Sequence, residues 1–201
     1  MFTIDKNNRD EIIIKNSKFI GLIYKIENED EINNILNNLK KEYKDATHIT
    51  YAWKLNDKQK YNDDGEPTGT AGVPIMEVIN KNDLINVLIV VVRYFGGIKL
   101  GAGGLIRAYS KCAREVLKKC KLEKYIIYNY YELKTNYDNL KLLNNLTKDL
   151  IIEKKEFDEN IIYIVKTTEK ADSIEKIFKN TEIKIKEIQI ISFFTLILLS
   201  I

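Results

Sequence analysis

A single histidine, two cysteines and two prolines leave this 201-residue chain little with which to build a metal centre or a disulfide framework. With His48 alone, no Cys/His zinc set can be assembled. Cys112 and Cys120 stand eight residues apart on one predicted helix, a rise of about 12 Å. A disulfide requires Cα atoms within roughly 7 Å, so the two cannot pair with each other, and reduced thiols fit a cytoplasmic protein. Strong charge of one sign is also absent. The net charge is +3, so a nucleic-acid site would have to be a local patch. The start, Met1-Phe2-Thr3-Ile4-Asp5-Lys6, is charged too early for a secretory signal. The apolar end, I-I-S-F-F-T-L-I-L-L-S-I over residues 190–201, is shorter than the about 20 residues that span a bilayer. It is expected to be the end of a last strand followed by an apolar tail over residues 193–201. Attachment of that tail to a membrane is the lesser reading.

Glycine is scarce everywhere but in one place. Eight of nine glycines lie between Gly65 and Gly104, and both prolines, Pro67 and Pro74, lie there too. Glycine admits left-handed backbone and close approach, and proline fixes φ. The chain is therefore expected to build a shaped backbone surface in this stretch, which reads D-D-G-E-P-T-G-T-A-G-V-P, then an apolar strand, then R-Y-F-G-G-I-K-L-G-A-G-G-L-I-R.

Periodicity places the flanking elements. Strands are expected at 2–4, 18–26 and 46–55, and a helix at 30–43 with Asp30 as its cap. Residues 56–60 read as a polar loop and 73–79 as a short helix with Pro74 in its first turn. The run V-L-I-V-V-V at 87–92 marks a central strand covered on both faces. Residues 103–120 form a long amphipathic helix, with Leu105, Tyr109, Cys112, Val116 and Leu117 in its apolar stripe. A boundary is expected near 122–125. Beyond it the order is strand 125–135, helix 138–146, strand 150–157, strand 161–167, helix 171–180, strand 183–191. That is the βαββαβ pattern of a ferredoxin-like domain over 125–192, with no glycine, proline, cysteine or histidine in it.

Several constellations invite chemistry. The turn G-G-I-K-L-G-A-G-G follows a buried strand and opens a helix, where free amides and the helix dipole suit an anion. Gly96 and Gly101 have phosphate-loop spacing, but Ala102 and Gly103 replace its Lys and Ser/Thr; Ile106 stands where a dinucleotide motif needs its third glycine. Phosphate contact through Gly101, Gly103 and Gly104 competes evenly with tight turn geometry alone. Arg107, Lys111, Arg114 and Lys118 form a basic stripe on the helix, with Arg93 and Lys99 nearby, a set able to neutralise several phosphates. The alternative is a solvated helix face. Tyr94 and Phe95, if exposed, would stack on bases. Asp63, Asp64 and Glu66 do not have EF-hand spacing; a turn at Asp64-Gly65, ordered by carboxylates that accept backbone amides, is preferred to a cation site. His48 reads as a hydrogen-bonded structural residue, and Ser17 and Ser110 lack a nucleophile elbow. No cofactor, metal or acid–base dyad is assigned, and the chain is expected not to be an enzyme.

These residues resemble the YigZ/Impact family. The match runs through Asp63-Asp64-Gly65-Glu66-Pro67-Thr68-Gly69-Thr70-Ala71-Gly72 and through Arg93 to Tyr109, with A-T-H at Ala46-Thr47-His48 and S-K-F at Ser17-Lys18-Phe19 upstream. The resemblance implies an α+β protein. Its first domain, over 1–122, would have the ribosomal-protein-S5-domain-2-like α/β fold, and its second the ferredoxin-like fold. Eukaryotic relatives bind a ribosome-associated activator of a translation-factor kinase, using an extra N-terminal domain for which this chain is expected to have no room. For the short members the resemblance implies a translation-linked partner: RNA or a ribosomal component, or else a translation-associated protein. The rival expectations are a small-molecule phosphate or nucleotide binder or enzyme, and a protein–protein adaptor that uses the Asp63–Gly72 loop.

Overall fold

The computed structural model describes residues 1–56 and 58–188. The expected continuation of the last strand to 191 and the apolar tail at 193–201 lie outside the described residues. The chain divides into two compact units, with the sequence boundary between Tyr125 and Ile126. Among the described residues no helix is long and apolar enough to cross a membrane.

The first unit is built on β6 (Val87–Tyr94). Its side chains alternate between two cores: Val87, Ile89 and Val91 enter one and Leu88, Val90 and Val92 the other. A strand apolar on both faces can only be central, and the five-stranded sheet has the order β2-β3-β6-β4-β5. Its members are β2 (Asn8–Ile14), β3 (Ser17–Lys25), β4 (His48–Lys54) and β5 (Gln59–Asn62). Every pairing in this sheet is antiparallel. On one face lie α2 (Gly72–Lys81) and α3 (Ala102–Lys118), with Phe19, Ile75, Ile79, Tyr109, Cys112 and Val116 in the core. On the other lies α1 (Glu29–Glu42), which brings Ile32, Leu36 and Leu39 against Ile20, Leu22 and Trp53. A two-stranded ribbon pairs β1 (Phe2–Ile4) with β7 (Leu122–Lys124).

Three local expectations are corrected. Helix α1 begins one residue before Asp30, because Asn28 is the cap: its carboxamide accepts from Glu31 N–H (2.9 Å), and the Glu31 carboxylate reaches back to Glu27 N–H (2.9 Å). The loop expected at 56–60 instead contains the start of edge strand β5. Strand β2 has no counterpart among the expected elements. It precedes β3 through a two-residue turn, Lys15-Asn16, whose φ values are 44° and 63°. Such a turn matches the twist of the hairpin.

That turn abuts the glycine-rich segment after β6. A Cβ on Gly96 would run into the backbone of Asn16 and Ser17, and Gly96 N–H donates to the Ser17 hydroxyl at 3.2 Å. At Gly97 the constraint is different: φ is +84°, with open space where a side chain would go.

In the second unit the order is β8 (Asn129–Thr135), α4 (Leu140–Leu146), β9 (Ile151–Phe157), β10 (Ile161–Thr167), α5 (Ala171–Phe178) and β11 (Lys184–Ile188), with a 3₁₀ turn at Tyr137–Asn139. Its sheet has the order β11-β8-β10-β9, antiparallel throughout. Tyr131, Leu133, Tyr163 and Val165 pack from the sheet with Leu143, Ile174 and Phe178 from the helices.

The two adjacent glycines separate steric from conformational cost. Gly96→Ala should destabilise by about 3 kcal/mol or more, the range of overpacking against an immovable backbone. Gly97→Ala should cost only about 1–2 kcal/mol, that of left-handed backbone with a side chain. Urea midpoints at constant m measure both; equal losses would show that the turn does not clamp the loop.

Candidate functional site

The glycine-rich segment and the acidic loop meet at the end of β6, where Glu66 is drawn into the interior. Only 7% of Glu66 and 5% of Arg93 is exposed. Arg93 Nη1 donates to Glu66 Oε1 at 2.5 Å, and the Tyr109 hydroxyl donates to the same oxygen at 2.6 Å. The Arg93 guanidinium carbon lies 5.4 Å from the ring centre of Phe19 and 5.5 Å from that of Phe95, a cation between two π faces. Phe19 in turn meets Tyr109 edge-on at 5.3 Å. Burial first, and then the hydrogen bond to the Glu66 carboxylate, push the Tyr109 hydroxyl far above its ordinary pKa. A buried ion pair is tolerable only when further hydrogen bonds complete it. Tyr109 supplies one of these, while Arg93 Nε has no hydrogen-bond partner among the described residues.

The rest of the acidic loop serves the backbone. Helix α2 has no side-chain cap of its own. Asp63 supplies one from outside the helix, accepting from Gly69 N–H (2.9 Å), Ala71 N–H (3.0 Å) and Gly72 N–H (2.8 Å). Asp64 accepts from Ile49 N–H at 2.6 Å, and its backbone, like that of Gly65, is left-handed (φ 45° and 82°). The Thr70 hydroxyl donates to the Pro67 carbonyl at 2.6 Å, and Gly69 has φ +77°. His48 Nδ1 lies 2.7 Å from the Asp64 carbonyl oxygen and therefore carries the proton there; its Nε2 lies 3.9 Å from Glu66 Oε2. Asp63, Asp64 and Glu66 are thus all engaged by groups of the chain itself.

The residues expected to meet a partner divide into two sets. Arg93, expected to meet phosphate, is corrected: it is buried and its charge faces Glu66. Tyr94 is half-buried in the α1-side core and donates its hydroxyl to Asp45 at 3.1 Å, so it is not a free stacking platform. Phe95 is exposed, but one of its faces covers Arg93. By contrast Lys99, Gly101, Gly103, Arg107, Lys111 and Arg114 are all exposed, and Gly104 partly so. Gly101 (φ +69°) starts α3 without a side-chain cap. Arg114 Nη1 donates to the Ser110 hydroxyl at 2.5 Å, and Lys118 pairs with Glu115 at 2.9 Å.

Sequence reasoning misses Lys15. The tip of the β2–β3 hairpin carries it to a cleft of about 230 Å³ lined by Ile14, Lys15, Leu100, Gly104, Arg107, Ala108 and Lys111. The signal is present as two apolar runs, I-I-I and F-I, either side of K-N-S-K. The pairing of Glu66 with Arg93 is also missed. Its only trace is an arginine placed directly after six apolar residues of a central strand, where a cation needs a partner.

The chain matches the Impact N-terminal domain over residues 15–117. The IMPACT family member YvyE of Bacillus subtilis (strain 168) is 36% identical over 174 residues, covering 84% of this chain and 80% of that relative. The IMPACT family member YigZ of Escherichia coli (strain K12) is 33% identical over 132 residues, covering 63% of this chain and 65% of that relative. A crystal structure of a hypothetical protein superposes with a TM-score of 0.64 at 24% identity, over 94% of this chain and 97% of that one. That last likeness shows a shared fold alone.

Substitutions at three positions test the buried cluster. Arg93→Met should cost about 3–5 kcal/mol, because it strands the Glu66 carboxylate, and Arg93→Met/Glu66→Leu should cost less than the sum of the single changes. Denaturant midpoints for the cycle measure the coupling; strict additivity would contradict it. Tyr109→Phe supplies the pH test. The folded-state pKa of Tyr109 is raised, so the stability it contributes is complete below the ordinary tyrosine pKa of about 10 and declines above it. Wild type should therefore lose stability between about pH 9 and 11 more steeply than Tyr109→Phe. Parallel curves would exclude this role.

Proposed function

The chain belongs to the Impact family, and on that premise we propose that it is a non-enzymatic, cytoplasmic binding protein linked to translation. In this reading it meets RNA or a ribosomal component with the glycine-turn end of its first unit. One observation carries it: Lys99, Arg107 and Lys111 are exposed without an ion-pair partner among the described residues, beside the uncapped amides that open α3. A solvated charge stripe normally carries neighbouring acids of opposite sign, as Lys118 does with Glu115. Lys99 and Arg107 have no such pair among the described residues, and Lys111 feels the Glu115 charge one turn on without an ion-pair contact; a phosphate backbone would supply the remaining counter-charge. We further read the antiparallel five-stranded sheet with its three helices as S5-domain-2-like. The β11-β8-β10-β9 sheet we read as ferredoxin-like, a second surface for the same partner.

The rival readings draw less support. An adaptor that uses the Asp63–Gly72 loop would need free carboxylates, yet Asp63 and Asp64 accept backbone amides and Glu66 faces Arg93. An enzyme would have to use the one histidine, His48, as its base through Nε2, which lies 3.9 Å from the buried Glu66 carboxylate.

Fluorescence anisotropy with labelled single- and double-stranded RNA, at two salt concentrations, tests the proposal. Binding should weaken as salt rises. Arg107→Glu/Lys111→Glu should lower affinity and flatten the log–log salt slope by about 0.7–0.9 for each phosphate that the variant no longer neutralises. Binding unchanged by salt, or unchanged in the variant, would overturn it.

A further inference from the structure

The cleft between the β2–β3 hairpin and α3 gathers Lys15, Arg107 and Lys111, and no carboxylate lines it. None of the three cations makes an ion-pair contact or hydrogen bond among the described residues, although Lys111 feels the Glu115 charge one turn on, whereas other cations of these elements and their ends do make such contacts. Arg9 and Lys18 both reach Glu11, at 3.0 and 3.1 Å, Lys119 reaches Asp10 at 3.7 Å, and Lys118 reaches Glu115. Three like charges held around one concavity repel one another unless an anion occupies it. They are also held by the backbone. Lys15 sits in left-handed conformation at the tip of a turn that abuts Gly96, and Arg107 and Lys111 follow Gly104 by three and seven residues, on one face of α3. The first-turn amides of α3 add positive potential to this arrangement.

We propose that this cleft is a binding site for a phosphate monoester carried on a sugar, such as the 5′-terminal nucleotide of an RNA or a free nucleoside monophosphate. The choice of monoester follows from charge. A backbone diester carries one negative charge, whereas a terminal phosphate carries about −1.5 to −2 near neutral pH and so offsets more of the charge of three cations gathered at one point. The choice of a small ligand follows from size and lining. About 230 Å³ lies below the usual range for a drug-sized ligand and far below that of a dinucleotide coenzyme. Ile14, Leu100 and Ala108 offer an apolar wall to the sugar. This inference deepens the RNA reading above but does not depend on RNA as the source of the phosphate.

The test titrates the full chain with one RNA oligonucleotide bearing either a 5′-phosphate or a 5′-hydroxyl, and separately follows its thermal shift with adenosine monophosphate. The variant Lys15→Asn removes the charge while keeping a residue that tolerates positive φ. Arg107→Gln, on an exposed helix face, is the second variant and does not depend on the turn. The 5′-phosphorylated RNA is expected to bind about tenfold or more tightly than its 5′-hydroxyl twin, the worth of a charge-assisted contact. Each variant should erase that preference; Lys15→Asn should also keep the 5′-hydroxyl affinity within a few-fold, whereas Arg107→Gln should weaken binding of both RNAs. Equal affinity for the two RNAs would overturn this inference and leave the RNA reading standing. A thermal shift with adenosine monophosphate that is lost in both variants, without RNA binding, would support the cleft and overturn the RNA reading. Binding of neither would overturn both.

Discussion

Glu66 and Arg93 are 27 residues apart in sequence and share a hydrogen bond inside the first unit. A carboxylate or guanidinium taken out of water alone costs several kcal/mol. Each is therefore tolerable only because the other is there, with Tyr109 completing the acceptor and Phe19 and Phe95 enclosing the cation. The acidic loop, the end of β6 and the middle of α3 all meet at this point. Because Glu66 must reach inward, the loop needs left-handed backbone at Asp64 and Gly65, and it needs Asp63 to satisfy the amides that open α2. In sequence the three carboxylates favour a turn ordered by backbone amides over a cation site; in the fold Asp63 and Asp64 accept amides, while Glu66 clamps Arg93.

The glycines divide by physical task around that clamp. Gly96 is required by close approach: the hairpin tip passes where its side chain would be. Gly97 and Gly101 are required by backbone angle, with nothing nearby to obstruct a side chain. The first task fixes Lys15 relative to α3, and the second sets the start of α3. Together they position cations from two distant parts of the sequence at one cleft.

Much of this architecture is legible in the chain because it rests on local pattern. The apolar run at 87–92 specifies a two-faced central strand, the periodicity at 103–120 specifies a helix with one basic edge, and the alternation after 129 specifies four strands and two helices. What escapes is non-local or irregular. Strand β2, with N-R-D-E ahead of its three isoleucines, looks polar for half its length because it is an edge strand with one side in water. Strand β5 is exposed along its whole length and carries no apolar signature. Arg93 reads as a surface cation because its chemistry is the same whether it faces phosphate or Glu66; only the fold distinguishes them. Lys15 escapes for the converse reason, since nothing in its neighbourhood announces α3 as its counterpart.

The position of β6 in the sheet has a consequence for how the chain reaches this state. β6 lies between β3 and β4, so those two strands touch only through it. During synthesis the residues of β2–β3 and β4–β5 all precede residues 87–94, so the edges that β6 pairs in the sheet stay unpaired by it until then. Closure joins partners some seventy residues apart, Lys18 with Tyr94 among them, the kind of long-range pairing that slows folding. The topology thus places the aggregation-sensitive interval of the first unit before β6 emerges. The same strand carries Arg93 one residue before its end, so the segment that seals the sheet also delivers the charge that Glu66 requires.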